Sequence, residues 1–246
     1  MRDPVAIVTG GAGTLGRAIG DALAADGMRV ILADMVPVAD AGAGQAGVAC
    51  DITDAEDRAR LIAGAGSDLR VLVNCAGTGQ VVPLPEISAA LWDKVIALNL
   101  SAAFHLCQLA AGGLGEGGAI INISSVSGLR AGYGRVAYGV SKAGLIQLTR
   151  QIAVELGPRG ITCNTVAPGP VEGPLTRGIH PQSQVEDYLN TIPQGRYAIP
   201  EEIASAVAFL AGPGARHITG QCLAVDGGFL AAGVGVRDAQ QAPPTQ

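Results

Sequence analysis

Aromatic residues make up only 3% of this 246-residue chain and charged residues 15%. With so few rings, a core has to be built from Val, Ile, Leu and Ala, the usual filling of a sheet covered on both faces. Low charge combined with 48% apolar residues excludes an intrinsically disordered chain. No basic run occurs, and a net charge of −5 argues against nucleic acid or an anionic membrane surface as a partner. No uninterrupted apolar stretch reaches the length of about 18 residues that reads as a membrane span. Met1-Arg2-Asp3-Pro4 runs straight into VAIVTG, with none of the apolar run of a signal peptide. The five cysteines (Cys50, Cys75, Cys107, Cys163, Cys222) are odd in number, widely spread and never in C-x-x-C. They are expected to be reduced thiols of a cytoplasmic protein, mostly small core hydrophobes, and no metal site is expected. Lysine is scarce too: of 16 basic residues only Lys94 and Lys142 are lysines. GC-rich coding accounts for that bias, and it makes the position of Lys142 worth examining.

What is present is alternation. Short apolar runs at 5–9, 29–33, 47–50, 70–74, 119–123, 161–166 and 221–225 read as strands. Helical patterns lie between them near 15–26, 54–64, 86–111, 137–156 and 200–211. Thr53 and Ser88 stand where N-caps are needed. Such βαβ alternation predicts a single α/β domain, a Rossmann-like doubly wound parallel sheet of about seven strands with helices on both faces. Its expected extent is residues 1–236, followed by a mobile tail at 237–246. Residues 168–198, with five prolines, read as one long irregular segment and hence a substrate lid.

After the first strand comes T9-G10-G11-A12-G13-T14-L15-G16. Glycines at 11, 13 and 16 satisfy G-x-G-x-x-G, which lets backbone approach a pyrophosphate at the N-terminus of the next helix. By itself the pattern is weak in a chain with 36 glycines. Placed between a strand and a helix, it predicts a dinucleotide. Asp34 ends the second strand, where a carboxylate accepts from ribose hydroxyls and repels a 2′-phosphate. NAD is therefore expected over NADP.

"YGVSK" puts Tyr138 and Lys142 one helical turn apart on one face. An ammonium beside a phenol favours the phenolate. Lowering a tyrosine from about 10 toward 7 takes about 4 kcal/mol, which Lys142 and an oxidised nicotinamide are expected to supply together. A phenol so tuned is an acid–base catalyst for alcohol and carbonyl chemistry.

With these residues the chain resembles the short-chain dehydrogenase/reductase family, its branch of about 250 residues, from residue 5 to about 229. Ser125 in "INISSVSG" stands 13 residues before Tyr138, and Asn99 in "ALNLSAAF" matches the family asparagine. Asn74, Ala76 and Gly77 match the N-A-G turn, Asp51 and Ile52 in "CDIT" the adenine contact, and Pro168 and Gly169 the "PG" turn. The resemblance implies a small-molecule alcohol or ketone substrate and a homotetramer or homodimer built through the two long helices. It gives proton transfer to Tyr138, pKa control and ribose contact to Lys142, a substrate hydrogen bond to Ser125, and to Asn99 a water linking Lys142 to solvent. Gly10, Gly13, Thr14, Leu15, Gly16, Asp34, Asp51, Ile52, Asn74, Ala76, Gly77, Pro168, Gly169 and Val171 are expected to line the cofactor, together with Tyr138 and Lys142.

Two departures stand out. The loop reads T-G-x-x-G-x-x-G rather than T-G-x-x-x-G-x-G, with Thr14 in place of a glycine. Gly173 occupies the place of a carboxamide-binding threonine, with Thr176 three residues on. A lyase or dehalogenase of the same fold and a nucleotide-sensing regulator are the alternatives; Lys142 and the glycine loop weigh against the first, and the complete Ser125–Tyr138–Lys142 set against the second. His105, His180 and His217 read as non-catalytic. Arg130 and Arg135 flank the active-site loop and read as solvated, although either is placed to meet an acidic substrate. Tyr133, Ile179, Tyr188 and Leu189 read as an apolar wall.

Overall fold

Val5–Thr9 forms the central strand β1, and all five residues are fully buried, because it has a strand on either side and helices above and below. A computed structural model describes residues 3–39, 41–173, 176, 182–233 and 236–241. After β1 come helix α1 (Thr14–Ala25), β2 (Arg29–Asp34), β3 (Gln45–Ala49), α2 (Ala55–Ala65) and β4 (Leu69–Asn74). Helices α3 (Ala89–Ile96) and α4 (Ala102–Gly113) follow, then β5 (Ala119–Ile123), α5 (Val136–Leu156) and β6 (Thr162–Pro168). The chain then forms α6 (Gln182–Thr191), α7 (Pro200–Ala211), β7 (Cys222–Val225) and α8 (Val236–Gln241).

All seven strands pair in parallel in the order β3-β2-β1-β4-β5-β6-β7. The chain works outward from β1 to β3 and then returns to β4 on the other side of β1. That reversal opens a crevice at the carboxyl ends of β1 and β4, where open α/β sheets bind ligands. Two apolar layers hold the sheet. Leu61 of α2, Leu106 of α4 and Ala153 of α5 pack on one face, and Ile19 and Leu23 of α1 with Ile203 and Val207 of α7 on the other. The expected fold class is the one observed.

Several local expectations change. The helix expected at 86–111 starts at Ala89 with Ser88 Oγ accepting from Leu91 N, but Ala97–Ser101 is a π-turn carrying Asn99. Such an insertion of one residue per turn is common at functional positions. By length and composition alone Ala89–Gly113 would pass for a membrane span, yet Val95, Ala102, Leu106 and Ala110 on it are buried against the fold. Asp54, not Thr53, caps α2, accepting from Glu56 N and Asp57 N at 2.9 Å; the Thr53 hydroxyl donates to Asp51 instead. The segment read as irregular contains α6. The stretch read as a tail begins as α8, whose Gln240 donates to the carbonyls of Leu189 and Ile192. His180 and Ile179 lie outside the described residues.

Four polar side chains cross the core between the layers. Asn74 Nδ2 donates to Asn122 Oδ1 (2.8 Å), Asn122 Nδ2 to Thr149 Oγ1 (2.8 Å), and Thr165 Oγ1 to Thr149 Oγ1 (2.7 Å). Thr149 in turn donates to Leu145 O, so its one hydrogen and both lone pairs are used.

Candidate active site

The crevice is a cavity of about 490 Å³ walled by the ends of β1, β2, β4, β5 and β6. Its floor is the glycine loop. Gly10 has φ +72°, and a Cβ there would stand 2.9 Å from Ala76 Cα, so the loops after β1 and β4 touch backbone to backbone. At Gly16 a Cβ would collide with the carbonyl oxygen of Gly10. Both positions accept only glycine. Thr9, fully buried, ties the same two loops: its Oγ1 accepts from Cys75 N and Ala76 N, each at 3.1 Å, and donates to Val73 O. The only sign of this role in the sequence is a hydroxyl-bearing residue at the end of β1.

At one end Asp34 is aimed by its neighbours, since Oδ2 accepts from Ala12 N and Oδ1 from Val36 N, both at 3.1 Å. Asp51 Oδ1 accepts from Thr53 N and Oγ1, and these bonds hold its carboxyl below the usual range. Gly13, Thr14, Leu15, Gly16, Ile52, Ala76, Gly77, Pro168, Gly169 and Val171 line the same cavity. Asn74 does not: its side chain lies in the sheet interior on Asn122 and Cys107. Thr176 Oγ1 donates to Val171 O at 2.7 Å, so a hydroxyl reaches this wall although Gly173 replaces the expected threonine.

At the other end Ser125, Tyr138 and Lys142 converge. Ser125 follows β5, accepts from Ser127 N and hydrogen-bonds the Tyr138 phenol. Ser124 is buried and donates to Lys142 O at 2.8 Å, anchoring α5. The Tyr138 ring lies against Gly79, where a Cβ would be 2.7 Å away. Lys142 is buried, donates to Ile123 O at 2.8 Å, and sits 5.8 Å from the Tyr138 ring centroid. Asn99, in the π-turn, accepts from Thr78 N and donates to Thr78 O and Ser141 Oγ; Ser141 donates to Tyr138 O. A Cβ at Gly77 would stand 3.2 Å from Asn99 Oδ1 and 3.3 Å from Lys142 Nζ, so both side chains border this glycine.

The electrostatics differ from the expectation of an acidic phenol. Burial raises the Tyr138 pKa above its ordinary value, against the lowering effects of the Ser125 hydrogen bond and the Arg135 guanidinium. Burial also pushes Lys142 down to about 8. Desolvation disfavours the charged form of each group and is the largest cause of both shifts. Arg135, expected to be solvated, instead lines the cavity with its guanidinium 5.5 Å from the Tyr138 centroid. Nothing in the spacing of a loop arginine announces that.

A parallel sheet of this order, with a glycine cradle at its switch point and a tyrosine–lysine pair beside it, defines the α/β dinucleotide-binding oxidoreductase class. The family model described as enoyl-(acyl carrier protein) reductase matches residues 10–230. The chain is 36% identical over 239 residues to D-threitol dehydrogenase of Mycolicibacterium smegmatis, covering 92% of each protein. It is 37% identical to human (3R)-3-hydroxyacyl-CoA dehydrogenase, covering 94% of this chain and 97% of that one. Among solved structures, a glucose/ribitol dehydrogenase-type protein from Brucella melitensis superposes with TM-score 0.85 at 30% identity, covering 92% of this chain and 96% of that one. A blue fluorescent protein from a metagenomic library, in complex with NADPH, gives TM-score 0.84 at 34% identity, covering 92% and 97%. The chain belongs to the short-chain dehydrogenase/reductase family, whose members bind a nicotinamide cofactor.

Proposed function

We propose that this protein is an NAD-dependent oxidoreductase that interconverts a secondary alcohol and a ketone, with Tyr138 moving the proton. The observation carrying this reading is the convergence of Ser125, Tyr138 and Lys142 on a cavity whose far end holds Asp34 and the glycine cradle. Gly10 and Gly16, lacking a Cβ, let the backbone of the loop close tightly beneath the cavity where a pyrophosphate would lie, and the Asp34 carboxylate, aimed by two backbone N–H groups, suits ribose hydroxyls and opposes a 2′-phosphate. When bound, the nicotinamide cofactor supplies or accepts hydride.

The protein's part is proton and charge placement. Ser125 donates to the substrate oxygen, where negative charge grows during reduction. Tyr138, kept neutral by burial, gives its proton to that oxygen in reduction and takes it back in oxidation. Lys142, with a pKa near 8, is charged at neutral pH and stabilises the phenolate that reduction leaves behind. Asn99 Oδ1 accepts one hydrogen bond, from Thr78 N, and keeps capacity for a second, from a water leading from Lys142 to solvent. Residues 168–198 act as the lid of a single domain that runs to about residue 236. Five free thiols suit a reducing, cytoplasmic setting. Exposed Phe104 and Leu109 on α4 and Val140 and Val154 on α5 suit a homodimer or homotetramer joined through these helices.

Fluorescence titration with NADH and NADPH tests the reading: saturable binding, tighter for NADH, is expected, followed by turnover in a screen of secondary alcohols with NAD at alkaline pH. Failure to bind either nucleotide rejects it.

A further inference from the structure

A second cavity, of about 440 Å³, adjoins the first and shares Val126, Ser127, Arg135 and Tyr188 with it. Its charges are sorted. The carboxylates Asp34, Asp51 and Glu172 line only the first cavity, whereas both charged residues of the second, Arg130 and Arg135, are cationic. In a chain of net charge −5 such a wall does not follow from composition. Arg135 reaches into both spaces, with its guanidinium carbon 5.5 Å from the Tyr138 centroid. Arg130 is braced on an aromatic stack: its guanidinium lies 5.0 Å from the Phe229 centroid and donates to Phe229 O, and Phe229 packs on Tyr188 at 5.6 Å. Gln184 and Tyr133 add further polar groups to the same wall.

We propose that this second cavity holds an oxyanion carried by the substrate. The substrate is then a secondary alcohol or ketone with a carboxylate or phosphate a few bonds from the reacting carbon. Guanidinium forks match the paired oxygens of these groups, with Arg135 half-buried at the inner end and Arg130 exposed at the rim. The short spacing follows from Arg135 lying beside the phenol that handles the reacting oxygen. The inference rests on the oxidoreductase reading for the identity of that oxygen, but not for the existence of the anion site.

The test compares each anion with a neutral counterpart: acetoacetate with its methyl ester, and dihydroxyacetone phosphate with dihydroxyacetone. Binding is measured by calorimetry on the full chain with and without NADH, and turnover by NADH oxidation. At least one anion should bind about tenfold or more tighter than its counterpart, equivalent to about 1.4 kcal/mol. Which pair shows the preference distinguishes carboxylate from phosphate. Arg130→Gln should erase most of the preference, Arg130→Lys should retain part of it, and KM for the anion should move more than kcat. Equal or tighter binding of both neutral compounds, or a preference untouched by Arg130→Gln, overturns the inference. Loss of NADH binding or of all ketone reduction instead removes the oxidoreductase reading, while calorimetry on the protein alone still reports anion selectivity.

Discussion

Lys142→Met isolates the cost of keeping an ammonium inside this fold. Burial takes the lysine from 10.5 to about 8. At about 1.4 kcal/mol per pH unit, that depression corresponds to about 3 kcal/mol of stability. The folded pKa lies below the unfolded one, so between about pH 8 and 10.5 the unfolded chain binds more protons and stability from this group rises with pH. The penalty is fully present below pH 8 and gone above about 10.5. A single wild-type curve is a poor probe, because the thiols work the other way. Burial pushes Cys50 up to about 11 and Cys75 and Cys107 to about 12, so the unfolded chain loses those protons first and stability falls as pH rises through their range. Subtracting urea-denaturation free energies of the parent from those of Lys142→Met cancels Cys50 and Cys107, and carrying Cys75→Ala in both proteins removes the one thiol coupled to Lys142. Leaving Ile123 O without its donor costs about 1–3 kcal/mol, but that offset does not vary with pH. The difference should therefore favour the variant by about 3 kcal/mol more at pH 7 than at about pH 10.5. A difference that stays flat across the window would refute the desolvation of Lys142. Activity should vanish in the same variant that gains relative stability at neutral pH.

Tyr138→Phe should lower kcat by about 10² to 10⁴ while NADH affinity, read by fluorescence, stays within a few-fold; retained turnover would remove the proton-transfer role. Asp34→Ala should raise the ratio of kcat/KM with NADP to that with NAD, and an unchanged ratio would take Asp34 away from the ribose. Gly16→Ala forces a Cβ against Gly10 O, and should cost about 1–3 kcal/mol by denaturation and weaken NADH binding at least tenfold. Val140→Glu should shift the chain to a smaller species in sedimentation, and an unmoved assembly would place the interface elsewhere.

The fold was legible because its signals are local. Apolar runs such as VAIVT and AIINI, spaced by helical stretches, leave few arrangements other than a parallel sheet, and glycines after the first strand mark the switch point. Ser125, Tyr138 and Lys142 were legible because their spacing along strand and helix carries to space directly. Features set by side-chain direction or by a balance of opposed effects were not. The π-turn at Asn99 adds one residue to a turn, too little to disturb apolar periodicity. In α6, Ser183, Gln184, Asn190 and Thr191 dilute the apolar stripe, hiding a ten-residue helix. Asp54 and Thr53 are both competent caps, and only the bond from Thr53 to Asp51 decides between them. Spacing puts a cation near the phenol but does not reveal how far burial opposes it. The N-A-G motif points Asn74 at the cofactor, whereas its amide lies in the sheet on Asn122 and Cys107.

That inward amide begins the chain of hydrogen bonds through Asn122, Thr149 and Thr165. Thr149 is two turns past Lys142 on α5, so the chain acts as a mechanical stop against rotation or sliding of the helix that carries the reactive phenol. Greasy contacts can creep past one another; a saturated hydroxyl cannot be displaced without stranding a partner. Volume-conserving exchanges among the Ile, Val and Leu around the stop should therefore leave the angular aim of the phenol in place.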